Sequence, residues 1–61
     1  MSKLGQVYFE MRVIGNSVRM TAICAKTGVE VFVVGPRTAR DSHLKQLALR
    51  KLERKLQLQD A

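Results

Sequence analysis

The chain has 61 residues, with eleven Lys and Arg against five Asp and Glu, one His and one Cys, for a formal net charge of +6. That size confines it to one small domain, residues 1–61, whose buried core only just outweighs the entropy of ordering it. The lone Cys24 excludes an internal disulfide, Cys24 and His43 give no metal-ligand spacing, and no apolar run reaches the length of a membrane span.

The N-terminal residues Met1-Ser2-Lys3-Leu4-Gly5 lack the apolar centre of an export signal and read as a loose tail. Absence of such a signal, together with one unpaired Cys, leads us to expect a reducing cytoplasm. From Gln6 the pattern alternates. Val7, Phe9, Met11 and Val13 fall on one face, and Tyr8, Glu10 and Arg12 on the other, predicting a strand over about 6–14. Gly15-Asn16 tolerates positive φ and predicts a tight two-residue hairpin into a second strand over 17–24. With that loop, Met11 faces Met20, Phe9 faces Ala22 and Val7 faces Cys24, so every apolar partner lands on the same side. A slip of one residue would destroy the match.

Ala25-Lys26-Thr27-Gly28 predicts a four-residue loop, with Gly28 at its left-handed position. It pairs Ala22 with Val31 and Met20 with Val33, and gives a third strand over about 29–34. Gly35-Pro36 is expected to stop the sheet, because proline lacks the ladder donor. Thr38 then reads as an N-cap, with Asp41 three residues on as its capping-box partner. Leu44, Ala48 and Leu52 form the apolar stripe of a helix over about 39–57, flanked by Leu47 on one side and Leu49 and Leu56 on the other. Residues 59–61 read as a second tail. The expected fold is α+β: a three-stranded antiparallel meander followed by one C-terminal helix laid across one sheet face (βββα).

Several fragments carry a family resemblance: Val7-Tyr8-Phe9-Glu10, Thr21-Ala22-Ile23, Thr27-Gly28-Val29-Glu30-Val31, Val34-Gly35-Pro36 and Ala48-Leu49-Arg50-Lys51-Leu52-Glu53. Together they cover most of the chain, which resembles a family of very short alphaproteobacterial proteins of unknown function. Some members look to carry a serine hydroxymethyltransferase label. The resemblance implies a bacterial protein, with no established activity and no site to transfer. The enzyme label itself fails physically. A chain this short cannot enclose a pyridoxal phosphate, and it has no glycine-rich phosphate cup.

Catalysis needs positioned pairs, and none is evident. Cys24 falls on the core face and reads as a small buried hydrophobe, whereas His43 falls on the solvent side of the helix. Glu10 and Glu30 lie on outer strands with Thr21 and Ile23 between them. We therefore expect no enzyme, no cofactor and no metal. The sheet face away from the helix is more informative. It carries Tyr8 opposite Ile23, with Phe32 and Val34 beside them, where a solvated face should be mostly polar. Leu49 and Leu56 exceed what the sheet needs for cover. These six residues are the candidate interface of a homodimer. The alternative expectation is nucleic-acid binding. Arg12 sits across from Arg19, Arg37 and Arg40 bracket the helix start where an anion would be favoured, and Arg50 and Arg54 extend the basic flank.

Overall fold

A computed structural model describes residues 5–60; the expected first tail falls outside it except for Gly5. Its elements are β1 (Val7–Ile14), β2 (Ser17–Cys24), β3 (Glu30–Pro36) and α1 (Asp41–Asp60). The sheet is antiparallel in the order β1-β2-β3, so the βββα meander is borne out.

The register follows the turn chemistry. Gly15 takes a φ of 59°, as the tight hairpin requires, and Ile14 pairs with Ser17. Met11 then pairs with Met20, Phe9 with Ala22 and Val7 with Cys24, as expected. At the second loop, Gly28 has a φ of 76°. The Gly28 N–H donates to the Cys24 carbonyl at 2.8 Å and the Cys24 N–H to the Val29 carbonyl at 2.9 Å, closing a four-residue loop. Ala22 accordingly pairs with Val31 and Met20 with Val33.

Several boundaries differ from expectation. The third strand does not stop at Val34 but continues through Gly35 and Pro36, which pair with Val18 and Ser17. The reason lies in strand parity. The Arg37 N–H donates to the Asn16 carbonyl at 3.2 Å, so odd-numbered residues of β3 face β2. The missing N–H of Pro36 would have pointed to the free edge, where no ladder bond is lost. Thr38, in turn, is not the N-cap. The Ala39 N–H donates to the Pro36 carbonyl at 3.0 Å, which places Thr38 inside a turn. The first helical N–H groups, from His43 and Leu44, both reach the Arg40 carbonyl at 3.1 Å. Arg40 is therefore the cap position, and Asp41 stands in the first turn, where its charge complements the helix dipole. The helix also runs to Asp60, past the expected end at 57.

The core is formed by Val18, Met20, Ala22 and Cys24 of β2, Val31 of β3, and Leu44, Ala48 and Leu52 of α1. Gly35 lets the helix approach. A Cβ there would stand 2.8 Å from Leu44 Cδ2. The helix, expected to lie across one sheet face, covers little of β1. The helix packs on β2 and β3, and no residue of β1 is buried. Met11 is 48% exposed while its cross-strand partner Met20 is 1% exposed. A helix is about 10 Å across and strands are about 4.8 Å apart, so one helix roofs two strands and leaves most of the third uncovered, with only Val7 of β1 packed against the core.

Candidate functional site

β1 is the surface this arrangement leaves unfinished. Its residues Val7, Phe9, Met11 and Val13 share the face of the buried residues of β2. Yet Phe9 is 37% and Val13 50% exposed. On the opposite face, Tyr8 and Ile14 are also exposed. Exposed apolar side chains thus stand on both sides of the strand, with Glu10 and Arg12 between Tyr8 and Ile14 on the face away from the helix, while Val7 alone is half-buried against the core.

Backbone polarity points the same way. The Ala25 N–H donates to the Gln6 carbonyl at 3.0 Å, so even-numbered residues of this strand face β2. The N–H and C=O groups of Val7, Phe9, Met11 and Val13 therefore face the free edge. Phe9, Met11 and Val13, whose apolar side chains are exposed on the helix side, thus also turn their backbone groups to the free edge.

β3, the other edge, is guarded. Its outward groups belong to Glu30, Phe32, Val34 and Pro36. The Lys51 ammonium reaches from α1 to donate to the Phe32 carbonyl at 2.9 Å, and Pro36 offers no donor. A lysine and a proline at a sheet edge are standard protection against pairing with another chain. β1 contains neither.

The expected interface residues divide around this strand. Tyr8 lies on β1 itself, opposite Ile23. Val34 is exposed on β3, and Phe32 is flanked by cations, with the Arg19 guanidinium 3.9 Å and the Lys51 ammonium 5.4 Å from its ring centroid. Leu49 and Leu56 are half-buried against the core. They share a helix face with Lys45, whose ammonium stands 5.8 Å from the Phe9 ring. They consequently flank the uncovered side of β1. The leucines most exposed on the helix are Leu58 and Leu47. Phe9, Met11 and Val13 were missed as surface residues because alternation assigns a face, not the width of its cover.

The candidate basic residues do not converge. Arg12 and Arg19 face each other on the open side of the sheet, in a shallow depression shared with Glu10 and Glu30. Arg40 lies with Ser42, His43 and Gln46 at the helix start, Arg37 is in the preceding turn, and Arg50 and Arg54 are exposed on α1.

Cys24 and His43 are not brought together. Cys24 is buried where β2 meets the second loop, whereas His43 is exposed in the first helical turn, near the opposite end of the sheet. Hydrogen bonds from the Thr27 side chain and backbone hold the Cys24 thiol below its ordinary pKa, outweighing the opposing effect of desolvation. Among the described residues, no group of three or more His, Cys, Asp or Glu could hold a metal ion, and no helix is long and apolar enough to cross a membrane.

No match to a curated protein or to a solved structure was found. A sequence profile does match, over residues 4–59, and so spans all three strands and almost the whole helix. The chain therefore belongs to a family of domains of unknown function, DUF6898.

Proposed function

We propose that this domain is a non-enzymatic interaction module that self-associates as a homodimer through β1. One observation carries the proposal: an eight-residue edge strand with no buried residue, although it presents apolar side chains on both faces. Long, flat, apolar edges with unpaired backbone either find a partner strand or aggregate. A second copy of the same chain is the partner always at hand, and a small domain gains most from such reinforcement. The helix flank formed by Lys45, Leu49 and Leu56 and the Tyr8–Ile23 side of the sheet adjoin the same strand and extend the contact. Size-exclusion chromatography with light scattering tests this. We expect a mass near twice 6.9 kDa at hundreds of micromolar. A strict monomer at that concentration would overturn the proposal.

Nucleic-acid contact ranks second. It draws on the net charge of +6 and on Arg12 beside Arg19. Against it, the basic side chains are divided between the open sheet face and the helix, and cations already flank Phe32. A mobility shift at low salt, lost in an Arg12→Ala/Arg19→Ala variant, would raise this reading to first place; no shift would remove it.

A further inference from the structure

Building on the proposed self-association, we infer its geometry: β1 pairs edge to edge with the partner's β1, antiparallel, with Met11 on the two-fold axis. Two constraints lead there. In an antiparallel ladder, residues whose backbone faces outward must lie opposite one another. On β1 these are Val7, Phe9, Met11 and Val13. A two-fold axis can therefore pass only through a small set of positions, and the charges on the other face choose among them.

An axis at Glu10 would set Glu10 against the partner's Glu10. An axis at Arg12 would set Arg12 against the partner's Arg12. Like charges in direct cross-strand pairs are unfavourable. An axis at Phe9 avoids this but shortens the ladder and strands Arg12 beyond its end. With the axis at Met11, Glu10 lies opposite the partner's Arg12, and Arg12 opposite the partner's Glu10. Tyr8 then meets the partner's Ile14, Phe9 meets the partner's Val13, and the two Met11 side chains meet each other. Charged and apolar pairs are complementary together, over a ladder running from Tyr8 to Ile14.

The product is a six-stranded sheet in the order β3-β2-β1-β1-β2-β3, with both helices on one face. Between them lies a shared apolar floor of Phe9, Met11 and Val13 from each copy. Growth stops at two copies because each outer edge is a β3, guarded by Lys51 and Pro36.

Charge reversal and amide exchange test this register. Glu10→Arg places an arginine opposite the partner's Arg12 at both symmetric positions, and Arg12→Glu does the reverse with acids. Each single variant should weaken the dimer about tenfold or more, and the double variant should restore it. Arg12→Glu also relieves the Arg12–Arg19 pair within the sheet. Its melting temperature at low concentration should therefore rise while its dimer weakens, which separates loss of association from loss of folding. By hydrogen exchange, the amides of Phe9, Met11 and Val13 should gain protection as concentration rises, while those of Glu10 and Arg12 are protected throughout. A dimer indifferent to these charges, with the Phe9, Met11 and Val13 amides unprotected, would overturn the register and leave self-association standing. A strict monomer would overturn both.

Discussion

Met11 and Met20 are cross-strand partners with the same side chain on the same face, yet one is 48% exposed and the other 1%. Truncating each to alanine isolates what the helix covers. Met20→Ala removes a fully enclosed side chain between sheet and helix, a change that costs about 3 kcal/mol in transfer and cavity terms. A domain of this size has roughly 3–5 kcal/mol in total, so the Met20→Ala protein should keep only about 0–2 kcal/mol and carry a measurable unfolded fraction at 25 °C. Met11→Ala loses about half as much burial and encloses no cavity, for a cost of about 1 kcal/mol or less. Urea unfolding followed by circular dichroism at low micromolar concentration measures both. Dimerisation adds stability by mass action, so the gap between wild type and Met11→Ala should widen as concentration rises. Equal losses for the two variants at the lowest concentration would refute the placement of the helix over β2 and β3.

Four further outcomes are expected. Gly35→Ala forces Leu44 Cδ2 away from a contact that would otherwise be 2.8 Å, and should lower stability by about 1–2 kcal/mol in the same unfolding assay. Lys51→Ala frees the Phe32 carbonyl on the outer edge, so light scattering should detect species larger than a dimer at high concentration. Thr27→Val removes the hydroxyl that favours the Cys24 thiolate, and the thiol's titration midpoint, followed by ultraviolet absorbance, should move up. Because the folded-state pKa lies below the unfolded one, this group stabilises the fold at alkaline pH. Its contribution fades as pH falls through the folded pKa, so a Cys24→Ala comparison should show the wild-type advantage growing with pH.

Much of the fold could be read from residue order. The period of two along β1 and β2, locked by Gly15-Asn16, fixes the register of the first hairpin, since any slip inverts every side chain. Ala25-Lys26-Thr27-Gly28 does the same for the second. The helix, too, is evident in Leu44, Ala48 and Leu52. Its lateral position is not, because periodicity says which face a strand turns inward and nothing about how many strands one helix can roof. The short connection from Pro36 to Asp41 keeps α1 beside β3, and Gly35 and Ala22 leave it room there, while Phe9 and Met11 are left outside. Pro36 misled for a related reason: whether a proline ends a strand depends on which way its absent N–H would point, a matter of parity set by the loop before it. The Thr38 cap was displaced by a turn between Pro36 and Ala39 that competes for the same backbone. For the candidate interface, Tyr8, Leu49 and Leu56 were visible as surplus apolar residues. The central residues of the proposed contact were hidden because they carry the pattern of core.

Sedimentation equilibrium on the wild type beside two single-lysine variants offers the most direct test. Met11→Lys places a charge at the centre of β1; Val34→Lys places one at an apolar position on β3 that is at least as exposed. We predict a dimer for the wild type and for Val34→Lys, and a folded monomer for Met11→Lys. A dimer that survives Met11→Lys and dissociates with Val34→Lys would contradict assembly through β1.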